Sequence, residues 1–306
     1  MEFVQQISVL AIKLCENGLK QILISMRPKQ WTKNMILFAP LIFSRNLFDT
    51  QSLLKIMEAF ILFTLLCGAV YIFNDIIDIE KDRCHPKKSQ RPLAAGKLSP
   101  RNAIIASLLI GITSLAFSLS LNIRFGMAVL SYLILQFAYT FSLKHIIILD
   151  VFSVAAGFVL RVLAGAMVID VPVSTWLVVC TMLLALFLSF CKRRHELINL
   201  EMEAVNHRKS LKDYSPYLLD QMIAVVTAST LISYALYTMS EETVKKFGTT
   251  DLKYTIPLVL FGIFRYLYLI HQKDEGGNPE SIILKDKPMM LNILFYVMAV
   301  GIILYM

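Results

Sequence analysis

Charge is scarce in this chain of 306 residues: Asp, Glu, Lys and Arg make up 17% of it, against 57% hydrophobic residues. With a mean hydropathy of +0.63, that balance excludes an ordinary soluble domain. The five cysteines, at 15, 67, 84, 180 and 191, have no CxxC spacing. This excludes a zinc site and a disulfide framework and fits reduced thiols. A lone His85 makes no metal site either. Residues 1–25 lack the charged start, short apolar core and small-residue cleavage site of a secretory signal. Phe3, Val4, Ile7, Leu10, Ala11 and Leu14 instead recur at helical spacing, predicting an interfacial helix over 1–26 ahead of one domain over 27–306. No aromatic-interleaved basic patch occurs, so the net charge of +8 is no nucleic-acid signal.

Long apolar runs dominate instead. Nine segments, near 31–48, 55–79, 99–120, 124–143, 147–169, 174–192, 217–239, 254–271 and 288–305, match the roughly 20 residues needed to cross a hydrocarbon core of about 30 Å. Continuous runs of this length mean helices. The expected fold class is therefore all-α, a polytopic membrane bundle of about nine transmembrane helices. With the N-terminus inside, the inner segments hold 22 of the 30 Lys and Arg residues, the outer loops six and the spans two. The positive-inside rule places the N-terminus in the cytoplasm and the C-terminus outside.

Residues 74–96, NDIIDIEKDRCHPKKSQRPLAAG, carry the strongest functional signal. On a continuous helix Asp75, Asp78 and Asp82 fall within about 60° of one another, where a membrane helix emerges into water. Such an oxygen cluster suits Mg²⁺, usually held by one or two carboxylates plus substrate phosphates. Lys81, Arg83, Lys87, Lys88 and Arg91 follow, cations suited to a diphosphate; a solvated loop is the plain alternative.

The rest of a site should come from other helix ends on the same side. Tyr139, Ser142 and Lys144 close the fourth span. Asp150 opens the fifth, and Arg161 shares its face about 16 Å further in. A charge that deep faces a partner or a wet cavity, with Asp150 or a lipid phosphate as candidates and a structural ion pair as the alternative. Gly157, Ala164 and Gly165 fit close helix packing. Lys29, Lys33 and Asn34 flank the first span, where Trp31 and the lysines also fit an interface anchor. Lys192, Arg193, Arg194 and Glu196 end the sixth.

NDxxDxxxDR followed by RPLxxG resembles the first aspartate-rich motif of the UbiA superfamily of intramembrane prenyltransferases. RPKQWTKN at 27–34, His85-Pro86, YTFSLK at 139–144, DVFSVAAGFVLRVLAGA at 150–166 and KRRHEL at 192–197 resemble its decaprenyl-phosphate phosphoribosyltransferase branch. The resemblance covers roughly 24–300. It implies Mg²⁺ on Asn74, Asp75, Asp78 and Asp82, with Asp75 and Asp78 catalytic. It implies phosphoribosyl diphosphate (PRPP) on Lys29, Arg83, His85, Lys87, Arg91, Tyr139 and Lys144, and a polyprenyl phosphate near Asp150, Arg161, Lys192 and Arg193. The implied reaction moves 5-phosphoribosyl from PRPP to a polyprenyl (decaprenyl) phosphate and releases diphosphate, for cell-envelope polysaccharide precursors, in a bacterial inner membrane. Membrane lipids are expected partners, nucleic acid is not, and the oligomeric state stays open. One departure bears on the choice of substrate. Ordinary members carry a second DxxxD-like motif after the sixth span. Here that loop has Glu196, Glu201 and Glu203 among Lys192, Arg193, Arg194, Arg208, Lys209 and Lys212. The rival, a prenyltransferase acting on an aromatic or lipid acceptor, needs less positive charge there.

Overall fold

The structure, a computed structural model, describes residues 18–86, 88–199, 209–273, 282 and 285–306. Lys87, most of the expected interfacial helix and much of the loop after the sixth span lie outside the described residues. The described chain is helical. After α1 (18–25) come a 3₁₀ segment (Pro28–Phe38), α2 (Ala39–Phe43), α3 (Thr50–Ile77), α4 (Ile79–Arg83), α5 (Pro100–Leu121) and α6 (Ile123–Phe141). Then follow α7 (Leu149–Val168), α8 (Thr175–Asn199), α9 (Pro216–Met239), α10 (Glu241–Phe247), α11 (Ile256–Gln272) and α12 (Lys287–Tyr305).

Short polar residues start the helices. Asp49, Ser99, Asn122, Ser215, Ser240 and Asp286 each accept a first-turn N–H at 2.9–3.3 Å, satisfying donors a helix end leaves orphaned. Pro100 and Pro216 follow two of these caps as first helical residues, where a missing N–H costs nothing.

Among the described residues eight helices are long and apolar enough to cross a membrane. The first expected span differs in kind. It is a 3₁₀ segment running into the five-residue α2. It nevertheless traverses the bundle: Arg27 pairs with Asp75 near the end of α3, whereas Asp49 caps the start of that helix, about 39 Å away. The larger rise of a 3₁₀ helix lets Pro28–Phe43 extend about 30 Å.

Tertiary contact explains this conformation. A Cβ at Gly165 of α7 would overlap the Leu37 backbone, so glycine alone admits so close an approach. Asn34, buried in the same segment, donates to Thr64 of α3 at 3.0 Å and accepts from Arg161 Nε of α7 at 2.8 Å.

Arg161 does not pair with Asp150, one of its two candidate partners. Its guanidinium donates to the Tyr132 hydroxyl at 2.8 Å and the Gly157 carbonyl at 2.9 Å. It lies 4.7–5.5 Å from the ring centres of Phe63, Tyr132 and Phe158. Asp150, on the same helix, pairs elsewhere. Neutral acceptors and aromatic faces satisfy the charge, and together they clamp the 3₁₀ segment, α3, α6 and α7.

Among the described residues two larger apolar cores and two smaller ones fill the bundle. Leu37, Leu41, Phe63, Phe125 and Tyr132 belong to one of the larger two; Phe187, Phe190, Leu219, Tyr266 and Ile270 belong to the other. The outer face of α5 exposes Ile105, Leu108, Leu109, Ile112 and Phe117, as a lipid-facing helix must.

Candidate active site

Charge gathers at one end of the bundle, where α3, α6 and α8 finish and α7 and α9 begin. Asp75, in the last turn of α3, is buried. Its Oδ1 pairs with Arg27 and, at 3.1 Å, with Arg91. Arg91 also reaches Asp82 Oδ2 at 2.6 Å. Arg27 lies over the Tyr71 ring at 4.8 Å and holds a left-handed backbone, φ 54° and ψ 68°. A non-glycine residue adopts that conformation only where its surroundings impose it. Asp75 Oδ2 is buried with no hydrogen-bond partner.

The three aspartates do not form one strip. Asp78 closes α3 and precedes α4, and it lies 3.9 Å from Lys144 and 4.0 Å from Lys81. Asn74, one turn before it, meets Thr140 of α6 at 2.8 Å. The segment therefore has two poles: Asp75 and Asp82 with two arginines, and Asn74 and Asp78 with Thr140 and Lys144. The turn that returns Arg91 to the acids ends at Gly96, whose φ of +70° favours glycine.

A third group ties α7, α8 and the start of α9 together. Asp150 is fully buried. It accepts from the Tyr214 hydroxyl at 2.9 Å and faces Arg193 Nε at 3.4 Å, and Arg193 also pairs with Glu196. Tyr214 accepts the Ile148 N–H at 2.8 Å as well. Burial foremost pushes its phenol up, so it stays a donor. Beside this group Arg194 pairs with Asp220 at 2.5 Å, and His271 lies 3.4 Å from the same carboxylate.

Of the other expected residues, Arg83 pairs with Glu80 at 2.9 Å on the exposed surface. His85 Nδ1 accepts the Lys88 N–H at 3.3 Å, fastening the turn. Lys29 is exposed; Tyr139 and Lys192 are half-buried. Arg27 is the main residue that sequence reasoning misses. It opens the RPKQWTKN run, but as one of many cations at a membrane boundary it is hidden by the positive-inside bias. Tyr214 and Thr140 carry no sequence signal of their own.

The acids fit a hard divalent cation. Carboxylate oxygens are its preferred ligands, and the orphaned Asp75 Oδ2 is a buried acceptor awaiting one. Among the described residues no three metal-ligating side chains converge, so any ion here would complete its shell with phosphate oxygens, as Mg²⁺ commonly does.

The model of the UbiA prenyltransferase family matches residues 35–284. The chain belongs to that family. Among its relatives, the decaprenyl-phosphate phosphoribosyltransferase of Mycolicibacterium smegmatis is 32% identical over 92% of this chain and 91% of its own length. The Corynebacterium glutamicum protein of the same name is 31% identical over 92% and 86%. A solved UbiA homologue from Archaeoglobus fulgidus, bound to GPP and Mg²⁺, covers 94% of this chain and 100% of its own, with a TM-score of 0.70 and 19% identity. At that identity the likeness is one of fold, and the fold is the family's all-helical membrane bundle.

Proposed function

We propose that this enzyme transfers the 5-phosphoribosyl group of PRPP to a polyprenyl phosphate and releases diphosphate. The observation that carries the reading is the 31–32% identity, over nine-tenths of the chain, to proteins named decaprenyl-phosphate phosphoribosyltransferase. The charge at the bundle end supports it: both substrates are anionic at the reacting centre, and six cations, Arg27, Arg91, Lys144, Lys192, Arg193 and Arg194, gather there.

In this reading the C1–O bond to diphosphate breaks and its electron pair leaves on diphosphate. A lipid phosphate oxygen forms the new C1–O bond. The acceptor is already anionic, so no general base is required. Arg27 and Arg91 present guanidinium donors to the diphosphate, stabilising charge as it grows on the leaving group. Lys144 stands ready for the sugar phosphate beside Asp78. Of the four expected ligands, Asp75 with Asp82 and Asn74 with Asp78 would each offer a pair of oxygens to Mg²⁺, with substrate phosphates completing its shell. When bound, that ion offsets negative charge on the leaving diphosphate. Arg193, fixed by Asp150 and Glu196, faces the lipid phosphate with Lys192, and the polyprenyl tail lies along the lipid-facing helices. Arg161 acts at a distance, as the clamp of the bundle. The site faces the cytoplasm of a bacterial inner membrane, where PRPP is soluble.

Purified protein with Mg²⁺, radiolabelled PRPP and a polyprenyl phosphate tests this. Label should enter the lipid phase and excess EDTA should stop it. Label passing only from an allylic isoprenyl diphosphate would replace the reading with prenyl transfer.

A further inference from the structure

Tyr214, next to the Ser215 cap of α9, is buried in the core that holds Phe190 and Tyr266. Its hydroxyl donates to Asp150 Oδ1 at 2.9 Å and accepts the Ile148 N–H at 2.8 Å. One group thus spends its proton and a lone pair on two residues at the start of α7. The backbone there is strained. Ile148 has φ 69° and ψ −48°, and the Leu149 N–H closes on the Ile147 carbonyl at 2.8 Å. A three-residue γ-turn with positive φ at its centre is rare, and a β-branched side chain at that position is an outlier. Such a backbone persists only where its surroundings over-determine it. The Ile148 side chain is exposed, so core packing does not hold it. The Tyr214 hydroxyl, 66 residues away in sequence, grips its amide instead.

We propose that Tyr214 is a positioning residue for the acceptor phosphate: it fixes the turn at Ile148, the turn sets the Asp150 carboxylate, and that carboxylate sets Arg193. Asp150 lies two residues beyond Ile148, in the first turn of α7, and its Oδ2 faces Arg193 Nε at 3.4 Å. Both side chains are buried, so a shift of one is passed to the other. The acids Asp75 and Asp82 pair instead with Arg27 and Arg91 and share none of these bonds. Loss of the hydroxyl should therefore be felt by the lipid phosphate and not by the diphosphate. This rests on the phosphoribosyl-transfer reading for the assignment of Arg193 to the lipid phosphate, but the experiment does not depend on turnover.

The test is calorimetric binding to the full chain in lipid nanodiscs, of farnesyl phosphate and, separately, of inorganic diphosphate with Mg²⁺, against empty nanodiscs. Tyr214→Phe keeps the ring and loses the hydroxyl. It should weaken farnesyl phosphate about tenfold and leave diphosphate within about twofold of wild type. Glycine adopts positive φ without strain, so adding Ile148→Gly should recover about threefold of that loss. Should Tyr214→Phe alone not fold, the double variant is read in its place, with farnesyl phosphate weakened about threefold and diphosphate unchanged. Equal losses for the two ligands would make Tyr214 a fold residue only and overturn the inference. So would unaltered farnesyl phosphate binding in Tyr214→Phe, no recovery with glycine, or a wild type that does not bind farnesyl phosphate. A wild type that shows this Tyr214 dependence but transfers no phosphoribosyl group would refute the proposed function and leave Tyr214 in its role.

Discussion

Arg27 stands with its guanidinium on Asp75 and its backbone in the left-handed region. Replacing it with Gln removes one of two cations from that carboxylate. The apparent KM for the soluble diphosphate substrate should rise tenfold or more, equivalent to about 1.4 kcal/mol of lost binding. Steady-state kinetics at saturating lipid phosphate would show it, and an unchanged KM would remove Arg27 from the donor site. Arg161→Gln should act differently. It removes the charged donor from Asn34 Oδ1 and the Tyr132 hydroxyl, at about 1–3 kcal/mol for a buried hydrogen bond to a charged group. Thermal unfolding in detergent should shift down while the KM for PRPP holds; the reverse would place Arg161 in the donor pocket. Residue identities in the acid segment were legible in the sequence, because carboxylates beside a membrane end are rare. Their grouping was not. Helical spacing puts Asp78 with Asp75, but the helix breaks at Asp78, and lysines on one side and arginines on the other divide the acids.

The 3₁₀ segment depends on one position of another element. Gly165→Ala places a methyl against the Leu37 backbone, which cannot yield as a side-chain tip would. The cost should be about 1–3 kcal/mol, visible as a lower unfolding temperature and increased protease sensitivity around Pro28–Phe43. An unchanged melt would mean the segment is not held by this contact. The start of α12 offers a pH test. Arg265 of α11 donates to Asp286 at 2.8 and 3.1 Å, and Asp286 caps α12. The Arg265 hydrogen bond, foremost, holds that carboxyl below its ordinary value. A depressed value in the folded state means its stabilisation is present above about pH 4 and fades as acid protonates it. The stability gap between wild type and Asp286→Asn should therefore be larger at pH 7 than at pH 3; a constant gap would exclude the linkage. Eight spans were legible because long apolar runs are local signals. The helix type of the first was not, because a glycine more than 120 residues later decides it.

Across the whole molecule the ends are unlike. The acid segment, Asp150, Asp220 and their cations crowd one end. The other holds the Asp49 cap, the exposed Arg124–Asp170 pair and the Arg45–Phe247 contact. The uneven division of Lys and Arg supports the proposal that the crowded end is the cytoplasmic one. Cys84, exposed beside the acids, should label with an impermeant thiol reagent in inside-out vesicles and resist it in intact cells. Labelling in intact cells would invert the orientation and deny soluble PRPP access to the site. Overall helical architecture was readable from composition; which ends converge followed only from the pairing of residues far apart in sequence.

Synthesis runs from the N-terminus, so Asn34 leaves the ribosome long before Arg161. On its own, Pro28–Phe43 offers an insertion machinery a short stretch with Gln30, Thr32, Lys33 and Asn34 near its start. On its own, α7 offers a mid-helix arginine that costs about 2.5–3.5 kcal/mol to insert. Bonded to each other, the two segments hide much of that polarity. The first crossing should therefore finish only after α7 has arrived, as a late event of biogenesis. Nascent chains halted near residue 145 should leave a glycosylation tag between Arg45 and Asp49 largely unmodified in microsomes, and chains extended past residue 170 should modify it.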